Sequence, residues 1–434
     1  MRVPRTVDTL AALDEALGHA ASVRESGDDA FRSALAAVTL RPKNLIGALN
    51  RDPMSADFRA SQLRFYETLT KSGYDVAREE TVFDRAHMLR WPFPYTTRSP
   101  TTVGDYLMAY GQIIREMNLP RGAHVLEMGS GYGPLTYQLA SMGYRVTCTD
   151  ISENLLDYVR TRCAGLPGIV DTIRCDMNTF ANAGVYDAVV FFESFHHVLD
   201  HAGLLERIAA NLDSRGILVF AGEPIVPDDS PIVPYPWGLR MDGLSLWAIR
   251  RQGWLELGFR VSYFADLLRR TGWIYTRVPS VSMHGTDIWI CRRATPVAGI
   301  NRPAQGELVQ SWRASDSTIY TQCGVRDAEH GTLRSDGTAG YLAYGPYARI
   351  ESGTYEIVWA GRSDGAATAS LAEVACGGGQ NVLREAAIAG DAGDGALARA
   401  RFHINQAVDD VEFRLRVGAR ETVVLEGMDL YLVR

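Results

Sequence analysis

A chain of 434 residues exceeds the size at which one hydrophobic core keeps growing, so two or three domains are expected. Hydrophobic residues at 46% and charged residues at 22% are ordinary for a soluble globular protein, and no apolar run reaches the length of a membrane span. A formal net charge of -7, with Lys and Arg scattered rather than clustered, argues against a polyanionic partner, so no nucleic acid is expected.

Taken in chain order, residues 1–95 read as a helical N-terminal extension and lid. Leu10, Leu13, Ala16 and Leu17 have helical spacing, and the stretch ends at Trp91-Pro92-Phe93-Pro94-Tyr95, where two prolines disfavour helix. The first residues carry Asp8, Asp14 and Glu15 and lack a continuous apolar stretch, so no secretory signal is read and a cytoplasmic protein is expected. Six cysteines without a Cys-x-x-Cys pair predict reduced thiols, not a disulfide framework or a zinc site.

Residues 96–295 alternate short apolar runs with amphipathic stretches, the pattern of β-α units around a parallel sheet. Strands are predicted at 124–128, 145–149, 170–175, 188–192 and 217–221, and helices at 135–142, 154–163, 204–212 and 263–270. Between them, 223–258 is rich in Pro and Trp; it reads as too irregular for a core element and as a cap over a substrate pocket, with Tyr235, Trp237, Trp247 and Trp254 as apolar platforms or, equally, as core packing. A linker is expected over 296–310. From 311 to 434, Val411, Phe413, Leu415 and Val417 alternate with polar residues, and short strands at 354–359 and 423–431 are split by Gly and Asp turns. An all-β sandwich, jelly-roll-like, is predicted there.

The stretch Glu127-Met128-Gly129-Ser130-Gly131-Tyr132-Gly133 leaves a predicted strand, turns on three glycines and enters a helix. Glycine permits positive φ and close approach of the backbone to a ligand. The spacing differs from the dinucleotide fingerprint, and no Lys-Ser or Lys-Thr pair follows for nucleoside triphosphates. Residues 123–221 resemble the class I S-adenosylmethionine-dependent methyltransferase core, a Rossmann-like α/β fold. That resemblance implies S-adenosyl-L-methionine as cofactor and S-adenosyl-L-homocysteine as product. It implies a cofactor site of Glu127, Gly129, Ser130, Gly131 and Gly133 around the methionine moiety, and Asp150 with Ile151 at the ribose. Asp176 and Met177 fall at the adenine, with Phe192 beside the cofactor. Acidic residues at three successive strand ends converge on one side of such a sheet.

After the fourth strand stands Glu193-Ser194-Phe195-His196-His197. Methyl transfer to oxygen requires a base for the hydroxyl proton, and His196 or His197 suits that task, with Glu193 contacting cofactor or orienting the histidine; structural packing at a strand end is the rival reading for each. A metal bound by His196, His197 and His201 is set aside, since adjacent histidines are taken to point different ways, and no metal is expected. In the C-terminal domain, the run from Gly340 to Tyr347 resembles β-sandwich modules of bacterial surface-glycan enzymes; Tyr344, Tyr347 and Trp359, if exposed, are candidate carbohydrate contacts, with burial in the sandwich as the default reading. The expected reaction is O-methylation of a sugar hydroxyl in a bacterial surface glycan or its precursor. The alternatives are methylation of a natural-product hydroxyl or amine, and a non-catalytic glycan-binding scaffold. A homo-oligomer is compatible with all of these.

Overall fold

The computed structural model describes residues 5–24, 28–41, 52–80, 82–90, 99–181, 184–282, 287–293, 306–364, 367, 369–388 and 395–433. The Trp91 to Tyr95 segment and most of the expected linker lie outside them. The chain divides into two compact units, Met1–Thr271 with Val278–Ile290, and Gly272–Arg277 with Cys291–Arg434.

In the first unit, the N-terminal part comprises strand β1 (Arg5–Val7), helices α1 (Leu10–Val23) and α2 (Asp28–Ala36), strand β2 (Val38–Leu40), and helices α3 (Ala56–Thr70) and α4 (Arg85–Arg90). Local chemistry sets the helix starts. Thr9 and Ser55 cap α1 and α3 by accepting from Ala12 N and Phe58 N at 3.2 Å each. Strands β1 and β2 pair in parallel, a small sheet that the helical spacing of the segment did not announce. Helix α5 (Pro100–Met117) has Ser99 as cap and Pro100 at its first turn, the position where a missing N–H costs nothing.

The core alternates strands β3 (His124–Met128), β4 (Arg145–Asp150), β5 (Ile169–Arg174), β6 (Tyr186–Phe192) and β7 (Leu212–Ala221) with helices α6 (Pro134–Ser141), α7 (Glu153–Cys163) and α8 (His201–Ala209). These strands pair in parallel in the order β5-β4-β3-β6-β7. Strand order reverses between β3 and β6, the switch point at which open α/β sheets bind ligands. Successive side chains of a strand point to opposite faces, and the two faces differ. Val125, Val146, Val190 and Val219 pack with Tyr110, Ile113, Leu139 and Val159 of α5, α6 and α7. On the other face Phe191 and Phe220 stack at 5.3 Å, and Phe220 meets Phe264 edge-on at 5.1 Å.

The stretch expected to be too irregular for a core element instead folds into several short ones. These are β8 (Ile225–Val226), β9 (Trp237–Leu239), helix α9 (Gly243–Trp247) running into a π turn at Ala248–Gln252, and β10 (Leu257–Arg260). The three strands form a sheet in the order β8-β10-β9. Elements this short, broken by Pro and Gly, leave no periodicity for sequence reading to catch. Helix α10 (Val261–Arg270) follows, then strands β11 (Trp273–Val278) and β12 (Ile288–Arg293).

The second unit holds β13 (Gly306–Arg313), β14 (Gly324–Asp327), β15 (Thr332–Ser335), β16 (Gly340–Ala343), β17 (Pro346–Ile350), β18 (Gly353–Ser363), β19 (Leu371–Cys376), β20 (Asn381–Ala387), β21 (Ala396–Ile404), β22 (Val408–Val417) and β23 (Val423–Val433). One antiparallel sheet runs β14-β15-β23-β18-β21 with β13 also on β23, and the other runs β16-β22-β19-β20 with β17 also on β22. The two form a sandwich-like domain around Ile357, Leu397, Phe413, Leu415 and Leu430. The Val411, Phe413, Leu415 and Val417 face predicted from alternation is buried as expected. Trp359, taken from sequence as a candidate carbohydrate contact, is fully buried in this core beside Phe413, because its position in β18 points it inward. Tyr347 is exposed, and Tyr344 stacks on exposed Tyr320 at 5.5 Å.

Candidate functional site

A cavity of about 430 Å³ opens at the carboxyl ends of β3, β4 and β6, within the size range of small-molecule sites. Its first wall is the glycine turn. Gly129, Gly131 and Gly133 have φ of 68°, 53° and 62°, the left-handed region. A Cβ on Gly129 would lie 2.8 Å from Ser194 Cβ, and one on Gly133 would lie 2.6 Å from Val159. On Gly131 it would meet nothing within 4 Å, so this glycine keeps the cavity side of the turn open. Ser130 N donates to Thr149 O at 2.8 Å, tying the turn to β4.

Glu127, Asp150 and Asp176 all line this cavity, together with Gly129, Ser130, Gly131, Ile151 and Met177. Gly133 sits behind the turn against Val159 and is absent from the lining. Glu127 is buried and accepts a short hydrogen bond from Thr136 Oγ1; burial pushes its carboxyl up to about 7. Asp150 accepts from Gly131 N through Oδ2 and from Ser152 N through Oδ1, both at 2.9 Å. Burial raises its pKa, and those two N–H groups partly offset the rise. Asp176 Oδ1 accepts from Asn178 N at 2.8 Å and from Asn178 Nδ2 at 3.0 Å, while Asn178 Oδ1 accepts from Leu199 N at 2.9 Å. The same asparagine thus links the third strand's acidic residue to the loop after the histidines.

Phe192, Glu193, His196 and His197 form the floor. Glu193 has φ 51° and accepts from Tyr106 Oη of α5 at 3.0 Å. His196 is held by a residue that sequence reading did not single out. Glu223, fully buried just past β7, accepts from Ser194 N and Phe195 N at 2.8 Å each through Oε1. Its Oε2 takes His196 N at 3.1 Å and lies 2.9 Å from His196 Nδ1. The orienting task expected of Glu193 is therefore met by Glu223, whose place at the end of the next parallel strand was the available signal.

The two histidine rings do not diverge. They lie side by side with centroids 4.3 Å apart, which corrects the sequence-based argument against a shared site. The short helical turn Phe195–His197 brings consecutive side chains to neighbouring positions on its cavity side. His201 is elsewhere, buried against Phe195, Trp237 and Phe259. Around the pair stand Glu79 from the N-terminal part and Glu256 and Arg240 from the 223–258 stretch, also unforeseen. His196 Nε2 is 3.7 Å from Glu256 Oε2, His197 Nδ1 is 3.3 Å from Glu79 Oε2, and Glu256 is paired with Arg240 by a short contact. Burial, then the neighbouring His197, drives His196 well below the usual imidazole range. Burial pulls His197 the same way, but Glu79, Glu256 and Glu223 outweigh it and push the ring up to about 9.

Of the expected platforms, Trp254 lines the cavity, positioned by Leu255 N donating to Glu79 Oε1 at 2.6 Å. Tyr235 and Trp237 are buried away from it, Trp237 by its pairing in β9 and Tyr235 in the bend before that strand. Tyr74, Val76 and Met88 supply the wall from the N-terminal part. Among the described residues, no helix is long and apolar enough to cross a membrane.

Comparison with known proteins gives partial matches. The chain is 32% identical over 101 residues to the ubiquinone biosynthesis O-methyltransferase of Xanthomonas axonopodis pv. citri (strain 306), spanning 23% of this chain and 42% of that protein. It is 30% identical over 120 residues to the S-adenosyl-L-methionine-dependent Diels-Alderase iliD of Neonectria sp. (strain DH2), spanning 26% and 46%. The chain therefore covers less than half the length of these relatives. Among solved structures, a TehB-like SAM-dependent methyltransferase from Corynebacterium glutamicum ATCC 13032 Kitasato matches with 16% identity over 48% of this chain and 100% of its own, at a TM-score of 0.34. Residues 126–220, which contain the glycine turn, Asp150, Asp176 and both histidines, match the family model described as a methyltransferase domain, and the chain carries a domain of that family.

Proposed function

We propose that the protein is an S-adenosyl-L-methionine-dependent O-methyltransferase whose acceptor is a hydroxyl of a sugar-containing molecule, in a bacterial surface glycan or its precursor. The observation that carries this reading is one cavity holding carboxylates at three strand ends, a glycine turn open toward it, and a histidine pair on its floor. The residues fit the cofactor. Gly131 leaves room where a ligand backbone would approach, and each Asp150 oxygen, already taking one N–H, keeps a lone pair for a ribose hydroxyl. When bound, the cofactor supplies an electrophilic methyl group on a sulfonium. The chain's own residues would do the rest: Glu127 would hold the cofactor ammonium, Asp176 the adenine amino group, and Phe192 would cover the nucleoside. Glu223 fixes His196, so that an acceptor oxygen entering between Trp254 and the histidines meets an imidazole positioned to take its proton.

The sugar preference is supported by the β-sandwich unit and its exposed Tyr320 and Tyr347, rings of the kind that stack on sugar faces. A second reading, an apolar natural-product acceptor, is favoured by the Met88, Tyr132 and Trp254 walls. Isothermal titration with S-adenosyl-L-methionine tests the cofactor: one site per chain is expected, and absence of binding removes the reading. Transfer of labelled methyl into nucleotide sugars and lipid-linked glycans, against small phenols and amines, separates the acceptors.

A further inference from the structure

We infer that the cavity floor is a binding site for one first-row divalent transition ion of zinc-like preference, held by His196, His197 and Glu256. One donor atom from each of these three residues lies within 4.8 Å of the others. His196 Nε2 and Glu256 Oε2, at 3.7 Å, are too far apart for a hydrogen bond. Their separation is close to the roughly 3.4 Å between two donors on one ion with bonds of about 2.1 Å. Two imidazoles and one carboxylate form a nitrogen-rich set that suits zinc, iron or cobalt and disfavours magnesium and calcium.

The surroundings carry the inference further than the three donors do. Glu223 lies 2.9 Å from His196 Nδ1, the arrangement in which Nδ1–H donates to a carboxylate and Nε2 keeps its lone pair for a metal. Charge points the same way. Glu79, Glu223 and Glu256 bring three carboxylates together, each with at most a tenth of its side chain exposed, and Arg240 is the cation paired with Glu256. Three buried carboxylates beside a single guanidinium favour a further cation, and a divalent ion is one that two imidazoles can hold. All three donors line the cavity, so the remaining positions of the ion face the space assigned to the acceptor, where a hydroxyl oxygen can bind it. That use of the ion rests on the methyltransferase reading; the binding itself does not. With the ion in place, His196 would act as a ligand, and a coordinated acceptor hydroxyl, made more acidic, would give its proton to water.

The test uses full-length protein stripped with chelator and titrated with Co²⁺, read by visible d–d absorption and by paramagnetic shifts of histidine ring protons. Saturation at one ion per chain with two shifted imidazoles is expected. Glu256→Gln should weaken binding at least tenfold, and Glu223→Gln, which spares all three ligands, by about 10- to 100-fold. No saturable binding to the parent protein, or unchanged affinity in both variants, overturns the site. If either variant fails to fold, the parent titration and its imidazole shifts still decide. Cofactor titration on the same metal-free sample separates the two readings. Cobalt binding without cofactor binding retains the metal site and removes the methyltransferase. Cofactor binding without cobalt binding does the reverse.

Discussion

Glu127 sets a buried carboxylate against the loss of its solvent. Burial raises its pKa to about 7 against the partial relief from Thr136, and Asp150 adds to the rise; Tyr110 and Cys148 lie in its field as well. Because the folded value is raised, the folded state binds this proton more tightly than the unfolded chain. Its stabilising effect is complete below about 4.5 and is lost as pH climbs to about 7. Thermal denaturation across that window should show the loss, and Glu127→Gln should flatten it. Above the window the variant gains stability on the order of 3 kcal/mol. A cofactor ammonium beside the carboxylate favours the ionised form, so cofactor binding near neutral pH should release a proton, measurable by titration in buffers of different ionisation heat. At Asp150, replacement by Ala should weaken cofactor binding about 10- to 100-fold, the cost of a charge-assisted hydrogen bond. The acidity of both positions was legible from their place before and after the glycine turn. Their protonation was not, since it depends on how α6 and β4 close around them.

At the scale of elements, the glycine turn separates two roles that the sequence pattern merges. Gly133→Ala forces a Cβ at φ 62° to within 2.6 Å of Val159, so the helix α6 start must shift, and the melting temperature should fall clearly. Gly131→Ala meets open space and carries mainly the left-handed backbone cost of about 1–2 kcal/mol. That variant should fold yet lose at least tenfold in cofactor affinity. The reverse pattern in the two melts would contradict the assignment. Strands β3, β4 and β6 were readable because each is a short, largely apolar run with a helix after it. Strand β7 begins at Leu212, inside the expected helix, because the residues before Ile217 are polar and carry no strand signal. The 223–258 stretch was misread as irregular for a related reason: two- to four-residue strands give tertiary pairing the whole decision.

For the whole molecule, the second unit has its own apolar interior, in which Trp312 and Trp359 are buried. The 306–434 segment produced alone should therefore melt cooperatively, with blue-shifted tryptophan emission that iodide quenches little; an exposed, non-cooperative spectrum would show that its core is incomplete. Alternation along β22 made this unit's class readable, whereas the inward turn of Trp359 depended on the register of β18 with β23. Glu223 has a consequence for how such an enzyme could diversify. A loop pinned by three consecutive N–H groups on one carboxylate has little freedom to drift, so the histidines it carries stay where they are. Tyr74, Val76, Met88 and Trp254 come from separate stretches of chain. Exchanging those contributors can retailor what enters while the chemistry beneath is inherited intact.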